Sequence, residues 1–479
     1  RFRRNIKMEH NNQKGQWGSR FGFLMAAIGS AVGLGNLWKF PYVMGKGGGF
    51  AFLFIYLIMV ALVGVVILLS ELALGRKTGK GVIAAYRGIS QKCTFIGWMS
   101  WISPVLILGF YSMLGGYCIK YTIANIGDFF GTSWGVNGAD SAAFFKGFYT
   151  DPVQTVAFTV IFVFLTVLIT SVGVSKGIEK FSAIAMPALF VMLCIVIVRS
   201  VTLPGASEGL AFVFKPNFDV FKGIGWISVL ASASGQMFFS LSLGMAIMVT
   251  YGSYMKKNED LQENAIIIPI ADTLIAVMAG VAIMPAVFAS GQDPAAGPGL
   301  LFITLQTVFS AMGSLGPVFG TLFYGLVFIA AITSSISLVE AVSSAIMDRA
   351  IEKNKPVNRT KISLAVGLFV ALEGALVAVD SLGESGLPHP LGLGSILDFF
   401  DLISEGILMP VAALLTAIIF GWLKPGWLDE EIENKGTDNE KKFTMKGYFQ
   451  FCLKWIVPPV MILVLAGQMD SFFGLNLFN

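Results

Sequence analysis

The stretch Gly29-Ser30-Ala31-Val32-Gly33-Leu34-Gly35-Asn36 lies about halfway through an apolar segment running from Phe21 to Met44. Three glycines weaken a helix there, where an uninterrupted membrane helix would otherwise be expected. A hydrocarbon core about 30 Å thick is crossed at about 1.5 Å per residue, so residues 21–32 cover only about 18 Å and the glycines fall near mid-bilayer. Backbone unwound at that depth must be buried in protein or line a cavity, because its freed carbonyl groups find no water. A bound cation would satisfy them. Close packing of helices through small residues would also account for the glycines.

Composition puts the rest of the chain in the same solvent. Of 479 residues, 55% are hydrophobic and only 13% charged, with a mean hydropathy of +0.75. This is the signature of a polytopic helical membrane protein. Long uncharged runs recur at about 50–74, 95–126, 153–173, 178–199, 224–255, 262–290, 317–347, 360–379, 395–422 and 448–469, which with the first segment predicts eleven spans.

Basic residues set the expected orientation. The segment up to Arg20, the 75–94, 349–361 and 423–447 loops, and the pairs Lys176/Lys180 and Lys256/Lys257 hold 25 of the 33 Lys and Arg, while alternate loops are poor in them. This bias predicts a multi-pass protein of the cell's inner (plasma) membrane with a cytoplasmic N-terminus and, after eleven spans, an extracellular C-terminus. No short apolar run with a small-residue cleavage site follows the basic cluster, so no signal peptide is expected. The net charge of +4 reflects loop bias and implies no nucleic-acid partner.

Cys93, Cys118, Cys194 and Cys452 have no paired spacing, and His10 and His389 fall in a terminus and a loop. Neither metal nor thiol chemistry is indicated. There is likewise no GxGxxG following a strand, no phosphate loop and no Ser/His/Asp set, so no enzyme and no direct use of ATP are expected.

A second interruption lies in the sixth span, from Gly235 to Gly244, with Ser240 near its middle. Serines also bond back to carbonyls within intact membrane helices. The sixth span is five after the first, however. Interrupted helices at corresponding places in two halves point to an inverted repeat with a midplane substrate site, hence to a transporter.

Several runs then carry a family resemblance: Gln16-Trp17-Gly18-Ser19-Arg20, Gly29 through Pro41 (GSAVGLGNLWKFP), Gly47-Gly48-Gly49, Val174 through Lys180 (VSKGIEK), and Gly235-Gln236 with Phe238 through Gly244 (FFSLSLG). Together, in this order over nearly the whole chain, they resemble the bacterial amino-acid branch of the neurotransmitter:sodium symporter family. The resemblance implies an all-α LeuT fold: one transporter domain of two inverted five-helix repeats, about 14–200 and about 220–422, with helices one and six broken and helix eleven at about 448–469. Members commonly have twelve spans; this chain reads as eleven.

The resemblance also assigns residues. The substrate pocket would comprise Ala31, Leu34, Gly35, Ile107, Tyr111, Phe239, Ser240, Ser242, Met245, Ser334 and Leu338. Tyr111 would bond the substrate carboxylate and close the pocket with Phe239. Two sodium ions are implied, one at Ala31, Asn36, Ser240, Asp272 and the substrate carboxylate, the other at Gly29, Val32, Ala330, Thr333 and Ser334. Spacing supports the second set independently: Ala330, Thr333, Ser334 and Ser337 share one helical face, where hydroxyl and carbonyl oxygens suit a hard monovalent cation. Packing by small residues is the competing explanation.

Asp272, in the seventh span, must face the interior and meet a cation or a proton. Many relatives have an amide there, and the chloride-dependent ones neutralise excess positive charge with that anion. A fixed carboxylate takes over this role, so chloride independence is expected. Gly33 stands where monoamine carriers place an aspartate, which favours a zwitterionic amino acid. Met245 repacks easily around apolar side chains of different shape. Hydrophobic L-amino acids are therefore the expected substrates.

For the gates, Lys39 is expected to pair with Asp398 or Asp401 outside, and Lys14, near Trp17, with Asp348 inside. Glu71, Glu340, Glu373 and Glu405 receive no ion-binding role. A proton-coupled carrier using Asp272, or a channel or non-transporting receptor, would fit the same breaks without sodium coupling.

Overall fold

The computed structural model describes residues 15–136, 138–294, 299–475 and 477–478. Lys14, expected at the inner gate, lies outside them. Among the described residues the secondary structure is entirely helical.

The first span is two helices, α1 (Arg20–Ala31) and α2 (Gly35–Lys46), bent by 45° at the glycine cluster. Nine uninterrupted helices are long and apolar enough to cross a membrane. The first five are α3 (Phe50–Thr78), α4 (Gln91–Phe129), α5 (Pro152–Val172), α6 (Val174–Val201) and, after the sixth span, α9 (Leu261–Ala289). The others are α10 (Gly313–Glu352), α11 (Arg359–Gly383), α12 (Ile396–Leu423) and α13 (Lys446–Phe473).

The described residues thus hold nine such helices, or ten spans with the bent pair counted as one, rather than the expected eleven. The difference is the segment at 224–255. It divides into α7 (Trp226–Ser240, 15 residues) and α8 (Ile247–Ser253, 7 residues), neither of which spans alone.

Capping residues fix the helix starts. Ser19 Oγ accepts the Gly22 N–H, Asp151 accepts those of Val153 and Gln154 ahead of Pro152, Asp260 accepts that of Glu263, and Ser395 that of Asp398. Burial sorts the layers. α4 and α10 are mostly enclosed, whereas α11 presents Leu364, Leu368, Leu372 and Leu376, and α5 presents Phe164 and Leu168, to the outside. Such an outward apolar stripe is what lipid requires.

α3 and α8 pack backbone to backbone: a Cβ on Gly75 would collide with the Val249 carbonyl, and one on Gly252 with the Leu72 carbonyl. The chain between α12 and α13 then crosses both. Glu431 takes Arg76 Nε and Lys257 Nζ, each at 2.7 Å, and Lys441 pairs with Asp260 at 2.7 Å. Lys77 donates to the Trp427 carbonyl at 2.5 Å.

Candidate functional site

Both breaks are open in the middle of the fold, and each has a local cause. At the first, Val32 leaves the helix (ψ 97°). The Gly33 N–H is taken by Asn36 Oδ1 at 3.2 Å and the Leu34 N–H by the Tyr111 hydroxyl at 3.1 Å. Gln236 Nε2 donates to the Gly35 carbonyl at 2.8 Å. At the second, Ser242, Gly244 and Ala246 have φ of 55°, 73° and 67°, so no helix can pass through. Glu71 of α3 accepts the Gly244 N–H at 2.8 Å, which gives this second-span carboxylate a structural role. A Cβ at Gly244 would stand 2.7 Å from the Met409 carbonyl.

The breaks meet. Ser242 Oγ donates to the Ser30 carbonyl at 3.1 Å. Beside them lies a narrow cavity lined by nine of the residues expected around a substrate or sodium: Ala31, Gly35, Ile107, Tyr111, Phe239, Ser242, Met245, Ser334 and Leu338. Two others do not line it. Leu34 is buried and contributes its N–H to Tyr111, and the Ser240 side chain turns to Asp272. Ser30, Gly33 and Ile247 line it in addition. Tyr111 and Phe239 close one end, with ring centroids 6.4 Å apart. A Cβ on Gly33 would stand 2.6 Å from the Tyr111 hydroxyl and closer still to that of Ser334.

Asp272 is fully buried. Its Oδ2 accepts from Ser240 Oγ at 2.8 Å and its Oδ1 from Asn36 Nδ2 at 2.8 Å, while the Tyr56 hydroxyl is 3.4 Å away. Asn36 Oδ1 is 3.3 Å from Ser240 Oγ. Four side-chain oxygens on three spans are thus held together. Ala31, the fourth residue expected at this ion, lines the adjoining cavity.

The second expected cation set sits where α10 passes the end of α1. Ser334 Oγ is 3.3 Å from the Gly29 carbonyl oxygen, 3.0 Å from that of Ser30 and 3.5 Å from that of Val32. Thr333 Oγ1 is 3.0 Å from the Ala330 carbonyl, and Cβ atoms at 29 and 333 would be in contact. Ser334 thus occupies carbonyls at the end of α1, whereas Thr333 bonds back within α10.

On the outer side, Lys39 forms a pair with Glu405 and lies 3.7 Å from Asp401. Its Nζ is 5.1 Å from the Phe239 ring centroid. Asp398 instead takes the Ser395 hydroxyl at 2.8 Å. Of the two acids weighed from sequence, Asp401 is the one near Lys39, and Glu405, left without a role, is closer. Its signal was present: Glu405 follows Asp401 by four residues, on the same face.

On the inner side, Trp17 is buried, its Nε1 donating to the Tyr251 carbonyl at 3.1 Å with the ring packed on Phe23, Tyr251 and Tyr254. Asp348 accepts the Gly81 N–H at 2.5 Å. Glu340 receives Arg359 at 2.7 Å and the Tyr254 hydroxyl at 2.5 Å. Glu179 receives the N–H groups of Gly18 and Ser19. Sequence spacing held no sign of this last contact, which joins positions 160 residues apart.

Comparison with known proteins agrees with this architecture. The profile of the sodium:neurotransmitter symporter family matches residues 14–135 and 151–477. The uncharacterized sodium-dependent transporter YhdH of Bacillus subtilis is 36% identical over 455 residues, covering 94% of this chain and 96% of that protein. An uncharacterized sodium-dependent transporter of Haemophilus influenzae is 33% identical, covering 96% and 99%. Among solved structures, MhsT in complex with L-phenylalanine superposes with a TM-score of 0.83 at 34% identity, covering 95% of this chain and all of that one.

Proposed function

The chain belongs to the sodium:neurotransmitter symporter family, with its LeuT fold, and we propose that it imports hydrophobic L-amino acids by sodium-coupled symport, without chloride. The observation that carries this reading is the buried Asp272 carboxylate, held by Ser240 and Asn36 where the two broken helices meet. A carboxylate in that setting meets a cation or a proton, and the Asn36 and Ser240 oxygens gathered beside it favour sodium.

One sodium ion binds among Asn36, Ser240, Asp272 and the carboxylate of the amino acid. A second binds among the carbonyls of Gly29, Val32 and Ala330 and the hydroxyls of Thr333 and Ser334. The substrate's apolar side chain lies toward Ile107, Met245 and Leu338, and its carboxylate toward the Tyr111 hydroxyl. No carboxylate faces the cavity from position 33, so the substrate ammonium relies on neutral acceptors such as the unwound carbonyls, which suits a zwitterion better than an amine.

Sodium at the second set holds α1 against α10, and releasing it frees α1 to move. Trp17 and its aromatic neighbours act as the inner gate, and Lys39 with Glu405 and Asp401 as the outer one. Because binding of ion and amino acid is linked, each raises the affinity for the other by the same factor. The protein sits in the plasma membrane with its N-terminus inside and its C-terminus outside, built from repeats at about 14–200 and about 220–422. The presence of L-phenylalanine in the structure of MhsT supports the substrate class.

The test is uptake of labelled leucine or phenylalanine into proteoliposomes. Accumulation above the external concentration is expected with an inward sodium gradient, is abolished by choline at constant pH, and is unchanged when gluconate replaces chloride. Uptake that follows a proton gradient in choline would overturn sodium coupling, and loss in gluconate would overturn chloride independence.

A further inference from the structure

Away from the central cavity, an open groove runs between the short helix Val82–Ile89, the start of α4 and the end of α10. Its floor is apolar and aromatic. Trp98 and Trp101 meet edge to face at 5.6 Å, beside Ile83 and Ile346. Trp101 is pinned by its Nε1 bond to the Val342 carbonyl at 3.2 Å, whereas Trp98 is 40% exposed.

The rim is charged, and its charges do not cancel. Glu352 is already satisfied by Arg87 and by Lys80 at 3.2 Å, and Asp348 by the Gly81 N–H. Arg349 and Lys353, one turn apart on α10 and both exposed, form no ion pair among the described residues. Two free cations therefore overhang an aromatic floor at the ends of membrane helices, on the face where the basic loops gather.

We propose that this groove binds an anionic phospholipid, with the phosphodiester between Arg349 and Lys353 and an acyl chain along Trp98 and Ile346. Charge complementarity selects the head group. Indole rings favour the boundary between head groups and acyl chains. An acidic peptide fits less well, because the apolar floor leaves its main-chain amides without partners. The lipid would brace Val82–Ile89 against α10, the helix that also carries Thr333 and Ser334. The proposal is independent of what the central cavity carries.

The experiment uses the full chain in lipid nanodiscs containing brominated phosphatidylglycerol or brominated phosphatidylcholine, with tryptophan quenching read against lipid mole fraction. The expected relative affinity for the anionic lipid is above one and falls by about thirtyfold in R349Q/K353Q, given roughly 1 kcal/mol for each of the two basic residues. It persists in the charge-conserving R349K/K353R, and the excess quenching disappears in W98F. Equal quenching by both lipids in the unmodified protein, or an anionic preference untouched by R349Q/K353Q, would overturn the proposal. So would displacement of the quenching by inorganic phosphate or by a poly-glutamate peptide. Thermal melting of each variant reports folding separately, so a failure of amino-acid transport leaves this result readable.

Discussion

Replacing Gly33 with alanine adds a single methyl group where the cavity has no room for it. The new Cβ would lie 2.6 Å from the Tyr111 hydroxyl, inside the contact limit, and nearer still to the Ser334 hydroxyl. Neither neighbour yields freely: Tyr111 accepts the Leu34 N–H, and Ser334 Oγ contacts the Gly29 and Ser30 carbonyls. Overpacking of this kind costs about 1–3 kcal/mol, and at about 1.4 kcal/mol per decade that corresponds to binding weakened by about 5- to 150-fold. Bulky substrates should lose most, because the displaced hydroxyls move into the space their side chains need. Scintillation-proximity binding of labelled leucine and alanine at saturating sodium measures this. Gly147→Ala, at a helical position with open space around its Cβ, serves as the silent control. Binding by Gly33→Ala within about twofold of the parent, for large and small substrates alike, would refute the placement of the pocket.

Three further outcomes follow from the same geometry. Asp272→Asn keeps the Asn36 and Ser240 contacts but removes the charge, so sodium-dependent amino-acid binding should fall by at least tenfold and regain strength only at much higher sodium; equilibrium binding against sodium concentration checks this. Lys39→Met strands Glu405, which is buried beside Asp401. Since breaking a buried pair costs about 3–5 kcal/mol, a clear drop in melting temperature is expected, partly restored in Lys39→Met with Glu405→Gln. Trp17→Ala removes the Tyr251 contact and the aromatic plug, so a cysteine placed at Ser253 should react several-fold faster with a thiol reagent from the cytoplasmic side, with the parent Ser253→Cys as reference.

The first helix break was legible because glycine has a plain physical meaning at mid-bilayer, where no polar turn residue can be spared. The second was harder. Its left-handed turn includes Ser242 and Ala246, and an alanine at φ 67° is imposed by tertiary contacts, with nothing in its type to announce it. The sequence nonetheless places an interruption from Gly235 to Gly244, and the chain breaks between Ser240 and Ile247. The cavity wall was largely recovered through the family motifs. Ser30 and Ile247 escaped because which residues next to a break point inward depends on helix rotation, which hydropathy leaves undefined. The shortlist for Lys39 held Asp401 but omitted Glu405, for a related reason. An acid deep in an apolar run reads as a liability until a lysine from another helix is seen beside it.

The clamp of Glu431 on Arg76 and Lys257, added to the glycine-to-glycine contact of α3 with α8, welds those elements into one slab. A slab so tied shifts as a unit or stays put. In the transport cycle proposed above, the inner passage would then open like a door hung on the Val32–Leu34 bend, with the chain from Gly18 to Ala31 as its leaf and Trp17 leaving its socket as the step that sets the speed of release.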